Sequence, residues 1–400
     1  MSFYRDLGLD PVINAAGTLT RLGGTRMHPE VVAAMAEAAA SFVPIDELQE
    51  AAGRVIAEAT GAEAGYVVTG AAAGLSLGIA ACVVGMDVAK MDRLPDTTGM
   101  RNEVVVQRGH RNSYDHAIRA VGVTFVEAGY LGFPGAGGTV PWQIASAISE
   151  RTAAVACPIL NTPGTVALPE VCAIAHAHGL PVIVDAAAEL PPRRNLRRFI
   201  DEGADLVVFS GGKAIGGPQA SGILAGRADL IASVALQHQD MDVHPETWSR
   251  RGWISDGHVA GVPHQGFGRS MKVGREEIAG LITALRRFVD GSDETDAQHA
   301  HSRLDIVESS LGETPSLRRE RSFSDDNPIP SLTLTFDGVD APKRAVAMVN
   351  QLMAGSPRIA VGQSYVDVGR ISVNPFSLTE EEAAVVGHRI REEISRLTPA

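Results

Sequence analysis

The sequence predicts an α/β protein: a large domain built on a mainly parallel sheet, followed by a smaller α+β domain. Three observations carry this. Between about residues 64 and 225, short β-branched runs alternate with helical patterns, as in parallel strands joined by right-handed crossovers. Two of these runs, Val182-Ile183-Val184-Asp185 and Leu206-Val207-Val208-Phe209-Ser210-Gly211-Gly212-Lys213, read as buried strands that each end on a charged residue. From Ala297 onward, helices are mixed with short strands. The expected divisions are an N-terminal arm and helix over 1–45, a large domain over 46–268 and a small domain over 269–400.

Asn14 to Gly24 is a loop of glycines and small hydroxyl residues, either a surface arm or a segment lying across a site. Helical spacing follows over Pro29–Phe42 and Asp46–Thr60, with Gly61 as a C-cap. The uncharged stretch Ala64–Met86 is long enough to span a membrane, but it divides at Thr69-Gly70 into a strand, Tyr66-Val67-Val68, and an Ala-rich helix. Further strands are expected at Glu103–Gln107, Val123–Val126, Ala153–Ile159 and Ile223–Ala225, and helices at Trp142–Ile148 and Pro169–His178. Pro191–Glu202 is long enough for a crossover helix. Gln237–Gly268 lacks periodicity, as segments that shape a pocket or an interface often do. An amphipathic helix over Glu276–Val289 leads to a hinge-like Asp290–Asp293. The tail then reads as a helix, a strand (Ser331–Phe336), a helix (Ala341–Met353), strands near Ile359–Val361 and Arg370–Val373, and a helix (Thr379–Leu397) opened by a capping box.

The formal charge of −12, from 35 basic and 47 acidic residues, argues against nucleic acid and favours a small-molecule substrate. Cys82, Cys157 and Cys172 sit in apolar runs without metal or disulfide spacing, and the N-terminus lacks an apolar signal core; a cytoplasmic protein is expected. His176 and His178 point different ways on a helix, so no metal site is expected there.

If the two charged strand ends share one parallel sheet, Asp185 and Lys213 emerge together at its carboxyl edge, where open α/β sheets bind ligands. A lysine beside two glycines facing a buried aspartate is what pyridoxal phosphate (PLP) requires: the amine bonds the cofactor, and the carboxylate keeps its ring nitrogen protonated. Taken singly, Asp185 also reads as a helix cap and Lys213 as a solvated loop residue. The pair, with Ser210-Gly211-Gly212 removing bulk around the amine, favours the cofactor. Thr69-Gly70-Ala71-Ala72 opens a helix with free backbone N–H groups, a cup for a phosphate or a tightly packed turn. His110 is a candidate to stack on a flat ring, and Arg108 or Arg111 to meet an anion. Arg370, at a strand start, has the fork geometry for a substrate carboxylate.

These residues resemble the fold type I (aspartate aminotransferase-like) PLP enzymes, and among them the selenocysteine synthase-like family, which includes bacterial L-seryl-tRNA selenium transferase. The strongest pieces are Val184-Asp185-Ala186-Ala187-Ala188-Glu189 and Phe209–Gln219. Ile13–Thr18, Thr69–Ala73 and Met271–Glu277 support them. The resemblance is closer to the branch of D-glucosaminate-6-phosphate ammonia-lyase than to the tRNA enzymes, because the core begins almost at once and the charge suits a small substrate. It implies Lys213 as the Schiff-base lysine, Asp185 as the ring-nitrogen partner, Thr69, Gly70, Ala71 and Ala72 with Ser210 as the phosphate cup, and His110 as the stacking residue. Ala187 and Gly217 complete the expected cofactor contacts, and Thr20, Arg111, Gln219 and Arg370 the expected substrate contacts. A homodimer or larger homo-oligomer with shared sites is implied, in which Asn14–Thr20 and Gly216–Gln219 serve a neighbour.

The expected reaction is PLP-dependent β-elimination. The amine of Lys213, displaced by an amino substrate, takes the Cα proton, and loss of a β-hydroxyl gives an enamine that water hydrolyses to a 2-keto acid and ammonia. The same residues are compatible with racemisation, retro-aldol cleavage, decarboxylation or oxygen-dependent oxidation, with selenium transfer, and with a catalytically silent PLP-binding protein.

Overall fold

The computed structural model describes residues 3–130, 138–158, 162–315 and 317–397. Its strands are β1 (Val12–Ala15), β2 (Ala64–Val68), β3 (Glu103–Gln107), β4 (Thr124–Ala128), β5 (Thr152–Pro158), β6 (Val182–Asp185), β7 (Leu206–Ser210), β8 (Gly222–Gly226), β9 (Leu317–Ser324), β10 (Asn327–Phe336), β11 (Arg358–Val361) and β12 (Arg370–Val373). Contacts separate two compact units. The larger holds Met27–Leu190 and Arg194–Val289; the smaller holds the chain up to Arg26, Pro191–Arg193 and the chain from Asp290. This differs from divisions at 45 and 268. The helix Arg275–Asp290 buries Ile278, Leu281, Ala284, Leu285 and Phe288 in the larger unit's core, and Val31 of the helix Pro29–Ala39 joins the same cluster.

In the larger unit, seven strands form one sheet in the order β2-β8-β7-β6-β5-β3-β4. Neighbours run parallel except around β8, which is antiparallel to β2 and β7. The sheet is mainly parallel, as expected. β8 turns back because no crossover helix separates it from β7. Alternate residues go to opposite faces: Val67, Val105, Val155, Val184 and Val207 enter one buried cluster, and Tyr66, Val104, Ala154, Ile183 and Val208 the other. Covered on both sides, these strands read as continuous apolar runs.

The helix Gly70–Val84 is buried almost all round, which explains its lack of charge. It lies so close to the sheet that a Cβ at Gly74 would come within 2.8 Å of Val208, and one at Gly78 within 2.6 Å of Ile183. Ala64–Met86 is thus the strand-turn-helix that was expected; no helix among the described residues is long and apolar enough to cross a membrane. The helix Ile45–Thr60 ends at Gly61, whose φ of 72° makes it the expected C-cap. From this helix the buried Gln49 reaches the outer edge of β2: its Nε2 donates to the Val67 carbonyl (2.9 Å) and its Oε1 accepts from the Val67 N–H (3.0 Å). The cysteines are unpaired, and burial pushes each thiol pKa up to about 12. Of the sequence expectations, Ile159 and Asn161 fall outside the described residues.

Asp205 pins the starts of β6 and β7. Its carboxylate accepts from the Val182 N–H (2.8 Å), His176 Nε2 (2.8 Å) and Arg227 Nη1 (3.3 Å). Asp205→Ala strands a buried N–H and is expected to cost about 1–3 kcal/mol of unfolding free energy, measured by urea denaturation.

In the smaller unit, β1 pairs parallel with β11, and β12-β10-β9 form an antiparallel sheet. Leu304, Val307, Leu332, Leu334, Met348, Val386 and Ile390 fill its core. The tail helices and strands fall where the sequence puts them. The capping box closes as expected: the Glu382 N–H donates to Thr379 Oγ1 (3.2 Å) and the Thr379 N–H to Glu382 Oε2 (3.0 Å). Two readings change. Asn14 and Ala15 belong to a strand, not to a loop. The charged segment Leu317–Ser324 is an exposed edge strand with no apolar alternation to announce it.

Candidate active site

Parallel pairing places the ends of β3, β5, β6 and β7 on one edge of the large sheet, and β2, two strands from β7, ends there too. Val68, Gly222 and Ser210 stand in one register row. Thr69 and Gly211 therefore leave the sheet on either side of the start of β8. Gly222 is a position that sequence reading missed: a Cβ there would lie 2.7 Å from the Gly70 carbonyl carbon and 3.0 Å from the Ala71 nitrogen. Asp185 ends β6 opposite Val208, and Lys213 follows β7 after three residues. Ser210, Lys213 and Ala187 are half-buried.

The turn that carries Lys213 is held by its own backbone. The Gly217 N–H donates to the Gly211 carbonyl (2.9 Å), the Gly211 N–H to the Ser221 carbonyl (2.9 Å), and the Ser221 hydroxyl to the Pro218 carbonyl (2.6 Å). A Cβ at Gly211 would meet Ser221 Oγ at 2.3 Å, and one at Gly212 would lie 2.5 Å from the Cα of Gln219. The two glycines therefore serve the close packing of this turn rather than clearing space around the amine. Gln219 itself is exposed.

Burial raises the pKa of Asp185, while the Ala187 N–H bonded to its Oδ1 (3.1 Å) and the charge of Lys213 pull it down. Burial also lowers the pKa of Lys213, against the opposing charges of Asp185 and Glu189. The net direction is downward, toward easier loss of the proton, which is what a nucleophilic amine needs. Removing one opposing charge should push the lysine lower still. Glu189→Gln is expected to move the pH dependence of PLP capture by the apoprotein toward acid, read from the growth of cofactor absorbance after mixing.

His110 is buried after β3, desolvation lowers its pKa by disfavouring the charged ring, and its Nδ1 has no hydrogen-bond partner among the described residues. Arg111 is engaged elsewhere: Nε donates to Asp115 Oδ2 (2.5 Å), Nη1 contacts Glu127, and the guanidinium lies 4.8 Å from the Phe125 ring centre. Any substrate carboxylate must compete with those two acids. Thr69 also differs from expectation. Its hydroxyl turns toward the carbonyls of Met271 and Lys272 (3.1 Å to the latter), so its side chain is committed and a phosphate at this turn would depend on backbone N–H groups. Thr20 and the exposed Arg370 belong to the smaller unit, Thr20 in a 3-10 turn and Arg370 at the start of β12.

These residues fit PLP. The amine and the carboxylate stand at neighbouring strand ends. The first turn of the helix Gly70–Val84 carries no side-chain cap, and a Cβ at Gly70 would meet nothing within 4 Å, leaving room beside the N–H groups. His110, buried in the turn after β3 at the same sheet edge, has a flat ring of the kind that could stack on such a cofactor.

Comparison with known proteins agrees. The L-seryl-tRNA selenium transferase family matches residues 147–241. A 5'-C-glycyluridine monooxygenase-decarboxylase from a Streptomyces species is 35% identical over 97% of this chain and 91% of its own length. D-glucosaminate-6-phosphate ammonia lyase of Salmonella typhimurium is 32% identical over 98% of this chain and 97% of its own. A solved structure of D-glucosaminate-6-phosphate ammonia-lyase superposes with a TM-score of 0.80 at 32% identity, covering 99% of both chains. On this likeness and the site geometry, the chain belongs to the selenocysteine synthase-like family of fold type I PLP enzymes, in the branch of D-glucosaminate-6-phosphate ammonia lyase.

Proposed function

We propose that the protein is a PLP-dependent lyase of the ammonia-lyase type, acting on a small amino acid or amino-sugar acid to give a 2-keto acid and ammonia. The observation that carries this reading is the convergence of Lys213 and Asp185 at adjacent parallel strand ends, in a chain alike along nearly its full length to an ammonia lyase. When bound, PLP supplies an electron sink for charge left at the substrate Cα. Asp185 holds a proton at the ring nitrogen, with its carboxylate oriented by the Ala187 N–H. Lys213 would hold the cofactor through its amine and would serve as the general base for the Cα proton. The N–H groups of Gly70, Ala71 and Ala72, with Ser210, would hold the phosphate, and His110 would stack on the ring. Gly217 shapes the lysine turn. Thr20, Arg111, Gln219 and Arg370 are the proposed substrate ligands, chosen for their side-chain chemistry. The working form is proposed to be a homo-oligomer, to be checked by sedimentation.

A second reading, oxygen-dependent decarboxylation of an α-amino acid, is favoured by the 35% identity to the Streptomyces enzyme. One experiment separates the two. Purified holoprotein is incubated with candidate amino acids and amino-sugar acids, with and without oxygen. Ammonia and keto acid formed at equal rates under both conditions support the lyase. Carbon dioxide release that stops without oxygen supports the second reading and overturns the first.

A further inference from the structure

The geometry points to His238 as a positioning residue for the cofactor's phosphate cup, acting through the backbone of Met271 and the side chain of Thr69. The inference rests on the cup assignment above and goes beyond it. Residues 266–273 run as a strap fastened at both ends. At one end, Gly266 and Gly268 lie against the last turn of the helix Ala228–His238: a Cβ at Gly266 would be 2.7 Å from the Cα of Gln237, and one at Gly268 3.1 Å from the Cα of His238. At the other end, the Met271 carbonyl receives two donors, His238 Nε2 at 2.9 Å and the hydroxyl of Thr69.

A carbonyl only accepts, so Nε2 must carry the proton. The Nδ1 of the neutral ring is then an acceptor, and the buried Tyr66 hydroxyl stands 3.0 Å away to donate to it. The Tyr66 ring meets the imidazole edge-on, with centres 5.3 Å apart and planes at 88°. Tyr66 therefore fixes the tautomer, the tautomer fixes the Met271 carbonyl, and that carbonyl fixes Thr69. Thr69 immediately precedes the first helical turn, whose N–H groups form the cup. Without His238, Met271 keeps only the threonine hydroxyl, and the strap is free to shift and rotate the cup's first residue.

The test uses the full chain stripped of cofactor and titrated with PLP and, separately, with pyridoxal, which lacks the phosphate. His238→Phe is expected to weaken PLP about tenfold, the worth of one buried hydrogen bond, and to leave pyridoxal nearly unchanged. His238→Gln, whose amide can still donate from the Nε position, should restore most of the PLP affinity. Ala71→Pro removes a cup N–H at a helix position that tolerates proline and reports on the cup itself. If Ala71→Pro weakens PLP but His238→Phe does not, the inference fails and the cup stands. Equal weakening of both ligands by His238→Phe means general damage and also overturns it. If neither variant affects PLP, the cup is misassigned and the inference falls with it. Should His238→Phe fail to fold, Tyr66→Phe carries the test with the same expected selectivity for PLP over pyridoxal.

Discussion

Lys213→Ala is expected to abolish turnover, with a loss of at least about 10²–10⁴-fold from the missing general base alone. The absorbance of cofactor bound through this residue should vanish, while phosphate and ring contacts still retain some PLP. The turn itself should survive, because its hydrogen bonds are backbone to backbone or come from Ser221. Removing the lysine leaves the buried Asp185 carboxylate without its nearby cation, so the thermal stability of the cofactor-free protein should fall rather than rise. Lys213→Arg separates charge from nucleophilicity: it preserves the cation but not the neutral amine, and it should be as inactive as the alanine variant. An undiminished absorbance band in either variant would refute the assignment.

Asp185→Ala is expected to leave PLP bound but slow turnover by about 10²–10³-fold, the scale of losing one preorganised electrostatic partner in a water-poor site. Binding persists because the carboxylate does not contribute to the phosphate cup. Turnover fails because nothing then holds the proton at the ring nitrogen. Asp185→Asn keeps the size and the capacity to accept from the Ala187 N–H, but not the charge, so activity should track charge rather than shape. Wild-type rates in both variants would remove Asp185 from the mechanism. Loss of PLP binding in Asp185→Asn would instead make the residue a structural support.

Much of the site was legible because its chemistry is local in sequence. Asp185 and Lys213 each close a β-branched run, and register alone brings such ends together. Thr69 to Ala72 follows the same logic at the end of β2. What could not be read depends on contacts distant in sequence. Gly222 matters because of Gly70, 152 residues earlier, and Thr69 spends its hydroxyl on a backbone 202 residues away. His238 meets Tyr66 across 172 residues. Its helix escaped notice because it buries Leu230, Ile231, Val234, Ala235, Leu236 and Gln237, leaving too little polar face to show a period. The unit boundary was misplaced for a related reason: an amphipathic helix announces a buried face but not which core will bury it.

The hydrogen bonds from Gln49 to Val67 have a consequence for the protein among its neighbours. An exposed edge strand invites extended segments of other chains to add to it, which is how aggregation often starts. Here a side-chain amide mimics the missing partner, supplying one donor and one acceptor at the spacing a peptide group would. The rim of the sheet is blunted without adding a charge or a proline, and a foreign segment approaching β2 finds that rung already taken.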